Sequence, residues 1–172
     1  MRRLSALLPL LAAAACGGGA PTPSTAPPDP MAFERWARDA PFAGLETPRQ
    51  FEQRFGRPVD RQAVPQENRH VRGQTDSVLT LTYPGRLVAR FYAITGGRTL
   101  PMSVEVRSSG ILTEPVDVGS RWSAVPAAFG PPDGERDGQP FYVCDCGGPE
   151  EPVLFLVSGG RVEAIRFVYY VD

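Results

Sequence analysis

Residues 78–89 read VLTLTYPGRLVA, and residues 153–164, displaced by 75, read VLFLVSGGRVEA. Six of the twelve positions are identical: Val, Leu, Leu, Gly, Arg and Ala. In each segment apolar residues alternate, a glycine-containing turn follows and the alternation resumes, which is the signature of two strands joined in a hairpin. Taking Pro84, Gly85 and Arg86 as a three-residue loop puts Leu79, Leu81 and Tyr83 on the same face as Leu87, Ala89 and Phe91. That face is apolar and belongs to the core. Thr80, Thr82 and Arg90 fall on the other, the pattern of an antiparallel sheet covered on one side only. The equivalent register in the second segment assigns Leu154, Leu156, Val162 and Ala164 to the core, with Arg166 in the place of Phe91 and marking a bulge. Its opposite face carries Val153, Phe155, Val157, Ile165, Phe167 and Tyr169, interrupted only by Glu163.

Upstream of each segment the chain repeats itself again. Phe55-Gly56-Arg57-Pro58 recurs, displaced by 74, as Phe129-Gly130-Pro131-Pro132. Thr47, Pro48 and Gln50 supply an N-cap hydroxyl, a proline at the first helical position and a capping-box glutamine. Phe51 and Phe55 follow at i, i+4 spacing, and Gly56 with Pro58 ends the turn. A short helix is expected there. The second copy caps at Ser120 or Ser123, and Pro126 is tolerated only if the helix starts late, at Ser123. A further helix is expected over residues 31–39. Strands are expected at 67–72, 77–83, 87–94 and 102–107, then at 140–144, 153–158 and 162–170. The pattern predicts an α+β fold: two tandem helix-plus-antiparallel-strand repeats, about 31–110 and 111–172, forming one sheet with short helices on one face.

The FG-x-P turns and paired VL-x-L hairpins resemble the repeat of β-lactamase-inhibitory protein and the BamE (SmpA/OmlA) lipoproteins, accessory subunits of the outer-membrane β-barrel assembly machine. The motifs carrying the resemblance are structural. It implies a fold in which helices back a sheet whose open face binds protein, and it brings no catalytic site. Two copies depart from the BamE pattern and leave the tandem arrangement closer to the inhibitor.

Residues 1–16, MRRLSALLPLLAAAAC, carry two arginines, an uncharged apolar run and small residues directly before Cys16. This is an export signal. It resembles the bacterial lipoprotein signal, in which cleavage before the cysteine leaves a lipidated N-terminus. Cys16 is then an acylated anchor in a bilayer. The family's usual leucine three positions before the cysteine is replaced by Ala13, and the alternative is an ordinary secretory signal cleaved after Ala15. The run is shorter than the ~20 residues that span a bilayer. Residues 17–30, GGGAPTPSTAPPDP, have too little apolar surface to fold and read as a tether. In the resembled family an aspartate after the cysteine directs retention in the inner membrane. Gly17 therefore implies the outer membrane, facing the periplasm.

Of the 172 residues, 18 are Lys or Arg, all of them arginine, and 19 are Asp or Glu, for a formal net charge of −1; loss of Arg2 and Arg3 with the leader makes the chain more acidic still. Nucleic acid is not the expected partner. The single histidine, His70, stands between Arg69 and Val71 with no G-x-S-x-G elbow, so a catalytic triad is not expected. With Cys16 lipidated, Cys144 and Cys146 are left as a pair in an oxidising compartment. A local disulfide, strained and reducible but acting as an inert loop staple, is the expected state, with a redox role or a metal-binding pair as alternatives. A closed zinc site needs four ligands, which this chain lacks.

The expectation from these features is an envelope lipoprotein acting as a non-enzymatic protein-binding or assembly module, for which no catalytic residues, metal or cofactor are expected. Its partner is an envelope protein. Phe155, Val157, Ile165, Phe167 and Tyr169 are its expected partner-binding residues, and Phe155, Phe167 and Tyr169 the aromatic anchors among them. The alternative is a periplasmic thiol-redox or enzyme-modulating, inhibitor-like protein working through Cys144 and Cys146.

Overall fold

A computed structural model describes residues 29–144 and 151–169. The hairpin at residues 78–89 forms as its alternation requires. Strands β1 (Asp60–Glu67), β2 (Thr75–Tyr83), β3 (Leu87–Ala93) and β4 (Thr99–Val106) run as an antiparallel meander. Strands β5 (Gly134–Arg136), β6 (Gln139–Cys144), β7 (Glu151–Ser158) and β8 (Arg161–Val168) form a second. Antiparallel pairing of β4 with β8 joins them into one eight-stranded sheet ordered β1-β2-β3-β4-β8-β7-β6-β5. Helices α1 (Ala32–Arg38), α2 (Pro48–Phe55) and α3 (Ala124–Phe129) have seven, eight and six residues.

The expected α+β class of two tandem helix-plus-strand repeats is therefore corrected. The protein is mostly β, one antiparallel sheet carrying a few short helices. The 75-residue displacement equates β2–β3 with β7–β8, but β2 and β3 are the second and third strands of their meander while β7 and β8 are the third and fourth of theirs. β4 and β5 are left without counterparts. The two hairpins also turn differently. Tyr83 pairs with Leu87 across the three residues Pro84–Arg86, which make a single 3₁₀ turn. Ser158 pairs with Arg161 across only Gly159 and Gly160, at φ of 56° and 73°. Two successive positive φ values define the type I′ turn that strand twist favours, a conformation open to glycine at little cost. Residues 68–74, where a strand at 67–72 was expected, instead form the β1–β2 loop, and β1 lies upstream.

Helix α2 has the capping box its sequence announces. The Thr47 side chain accepts from the Gln50 N–H, and Gln50 Oε1 accepts from the Thr47 N–H at 2.9 Å. The helix buries Phe51 against Tyr83 and Phe91, with ring centroids 6.2 and 5.4 Å away. Helix α1, although N-terminal, lies over the C-terminal meander. Trp36 stacks on Phe155 at 6.0 Å and Phe167 at 5.8 Å, and Phe33 meets Phe129 of α3 and Tyr142 of β6. The indole Nε1 donates to the carbonyls of Thr113 (3.0 Å) and Val116 (3.1 Å), so the polar end of this buried ring is satisfied. Between these clusters the helix-side pairs Val104–Phe167 and Val106–Ile165 carry the core across the β4–β8 seam.

Candidate functional site

The helices lie on one side of the sheet, and that decides where a site can be. The expected partner-binding face of the second hairpin is this covered side. Phe155 and Ile165 are 0% exposed, Phe167 is buried and Val157 packs against the core. Tyr169 packs there too, at the rim of a cavity of about 120 Å³ beneath α1 that Phe42, Val153 and Phe167 also line. Assignment of Phe155, Val157, Ile165, Phe167 and Tyr169 to partner binding is corrected: Phe155, Ile165 and Phe167 are internal, and Val157 and Tyr169 are half-buried against the same core. Leu154 and Ala164 are buried as expected, 7% and 4% exposed, but on the opposite side of the sheet, where Leu156 is half-buried. A one-residue error of register exchanges every side chain between faces. Val162 does reach the helix side, because pairing shifts between Leu156 and Val157.

Cys144 is disulfide-bonded and 2% exposed, whereas Cys146 and Cys16 lie outside the described residues. His70 is exposed in the β1–β2 loop, and its backbone N–H donates to Asn68 Oδ1 at 2.8 Å. Among the described residues no group of three or more His, Cys, Asp or Glu side chains is placed to hold a metal ion. No helix among them is long and apolar enough to cross a membrane.

The uncovered face is built from the alternate residues of the strands. One row runs Thr82, Val88, Glu105, Arg166, Leu154 and Phe141 across β2, β3, β4, β8, β7 and β6. A neighbouring row runs Thr80, Arg90, Ser103 and Val168. At the centre, Glu105 is only 3% exposed. Its Oε2 accepts from Arg166 Nε at 2.6 Å and lies 2.5 Å from Nη2, while Oε1 accepts from Arg107 Nε. Burial is the largest single influence on this carboxyl and pushes its pKa up. The hydrogen bonds and charges of Arg166 and Arg107 outweigh it and hold the group below its ordinary value. Arg166, expected at a bulge, sits in regular register opposite Glu105 on one side and Leu154 on the other.

The face is concave. A groove of about 300 Å³ is lined both by Arg90 on β3 and by Arg136 and Asp137 at the β5–β6 turn. Those strands stand five places apart in the sheet, roughly 24 Å in a flat one, a gap closed by the sheet's twist and curl together with the reach of the two arginine side chains. Gly134 lets the outer edge fold tightly: a Cβ there would meet the Phe141 ring at 2.9 Å. The Arg136 guanidinium lies 5.8 Å from the centroid of that ring.

Sequence reasoning missed Glu105, Arg136 and the inward role of Arg166. The signal was a charged residue inside an apolar strand: Glu105 between Val104 and Val106, Arg166 between Ile165 and Phe167. Charges in such positions meet each other across a sheet or face water. Compared with protein-family models, curated proteins and solved structures, the chain matches none of them.

Proposed function

We propose that this protein is a non-enzymatic binding module of the cell envelope, held to lipid through Cys16, that captures an envelope protein on the open, concave face of its sheet. The observation that carries this reading is the one-sided cover. All three described α-helices serve the core face, and no described helix covers the curled opposite face, where Thr80, Thr82 and Val88 are half-buried beside a buried centre of Glu105, Ser103 and Leu154. The anchor rests on the sequence of residues 1–16, which lie outside the described residues.

The thiol-redox alternative draws less support. Exchange requires a thiolate to reach a disulfide sulfur, and Cys144 is buried within the core cluster.

Photo-cross-linking residues placed at Thr80 and Val88, in the full chain in its native envelope, should capture a protein. The same probe at Arg49, exposed on α2, should not. Equal capture from both sides, or none from the open face, would overturn the reading. Fractionation of Cys16→Ser tests the anchor separately: the variant should leave the membrane fraction in a high-salt wash.

A further inference from the structure

Resting on that reading, we infer that the groove of the open face takes an acidic side chain from an extended segment of the partner protein, with apolar residues two positions away on that segment resting on the groove floor. The lining states the chemistry. Arg90, Arg136 and Arg166 contribute three guanidinium groups against Asp137 and the Glu105 carboxylate that Arg166 already holds, above a floor that includes Leu154 and Val168. This cationic groove lies in a chain of net negative charge. Charge complementarity thus selects a ligand unlike the protein's own surface.

The three arginines are not equivalent. Arg166 is fixed by Glu105, which spends its Nε and Nη2. Arg136 is held against Phe141, and that contact leaves its donors for a ligand. Arg90 is half-buried between Thr80 and Ser103 and forms no ion pair among the described residues. A guanidinium kept partly out of water without an anion gains most from one that arrives. Its planar donor fork suits a carboxylate. The volume falls at the lower end of ligand pockets, about 300–1,000 Å³, room for one or two side chains. The groove is also continuous with the proposed docking face, which points to a side chain presented by a protein.

The probe is a labelled peptide, acetyl-Leu-Ser-Glu-Ser-Leu-amide, which when extended puts Glu and both Leu on one face, and its glutamine analogue, titrated against the full chain by fluorescence anisotropy. The acidic peptide should bind at least about tenfold more tightly, with an advantage that shrinks as salt rises. Arg90→Gln and Arg136→Gln should each weaken it about tenfold. Arg54→Gln, on the helix side, should leave it unchanged. If Arg90→Gln does not fold, as judged by circular dichroism, Arg90→Lys takes its place and should still lose affinity because it removes the fork. Equal binding of the glutamine peptide, no binding of the acidic one at millimolar concentration, indifference to Arg90, or equal competition by free glutarate would each overturn the inference. The broader reading fails differently. If cross-linking from Thr80 and Val88 survives in the Arg90→Gln/Arg136→Gln double variant, the face binds protein by other chemistry; if no open-face position ever cross-links, the docking face itself is wrong.

Discussion

Asp76 shows how much of the sheet's geometry hangs on one carboxylate. It is 1% exposed, yet both oxygens are fully engaged. Oδ1 accepts from the Thr95 N–H at 2.9 Å and Gln74 Nε2 at 2.8 Å; Oδ2 accepts from the Tyr92 hydroxyl at 2.8 Å and Asn68 Nδ2 at 2.5 Å. The β1–β2 loop is thereby tied to the β3–β4 loop. The Thr95 N–H, foremost among these donors, and then the Gln74, Tyr92 and Asn68 side chains hold the carboxyl far below its ordinary range against the opposing effect of burial. A folded-state pKa depressed in this way contributes stability that is fully present above the unfolded value, about 3.9, and is lost as pH falls through the folded one. Asp76→Asn should therefore be less stable than the native chain at pH 7, and the gap in urea midpoint should close as pH falls below about 4. A gap that persists unchanged into strong acid would mean that the site acts through shape alone. Two tyrosines make the same point about satisfaction. Burial pushes both hydroxyls up to about 12, yet Tyr142 donates to the Gly130 carbonyl at 2.7 Å, while the buried Tyr83 oxygen has no hydrogen-bond partner among the described residues.

Among the elements, the reversal of faces in the second hairpin yields the sharpest test. Phe155 is covered by Trp36, Trp122 and Tyr142. Phe155→Ala should cost about 3–5 kcal/mol, whereas Leu156→Ala, on the open side, should cost less than ~1 kcal/mol. Chemical denaturation separates the two, and the opposite ranking would restore the register in which Leu156 is core. The error has a physical source. Identity at six positions of a hairpin reports local turn and strand chemistry, but the buried face is chosen by what covers it. Loop length decides how the two strands face each other, and it differs between Pro84–Arg86 and Gly159–Gly160. The α2 capping box and the faces of β2 and β3 were legible because their determinants lie within a few residues. β1 was not, since its side chains are almost all exposed and Pro65 interrupts it. Both properties suit an edge strand, where proline and charge discourage pairing with another chain. The groove was hidden for another reason: Arg90 and Arg136 are brought together by sheet curvature, to which no local pattern points.

At the scale of the molecule, the question is whether the two meanders unfold together. The direct seam is short, four residue pairs from Ser103–Val168 to Val106–Ile165. By itself it would permit two independent halves. The helices argue otherwise. Helix α1 belongs by sequence to the first meander but covers the second, where Trp36 contacts Phe155 and Phe167 and reaches the Thr113 and Val116 carbonyls of the segment connecting the meanders. The chain then passes through Phe42, which packs edge-on against Phe167 at 4.8 Å, before α2 covers the first meander. Releasing the second half strips the cover that anchors the start of the first, and Val104 and Val106 lose their partners across the seam. Loss of that much shared apolar burial makes a half-folded state costly. A single transition is therefore expected, with calorimetric and van't Hoff enthalpies equal. Phe91→Ala in the first half and Phe155→Ala in the second should both move that one transition, each by several degrees. Two separable transitions, each sensitive to only one of the substitutions, would show that the seam and the crossing helix do not couple the halves, and the concave face that spans them would then be a composite of two independently folding parts.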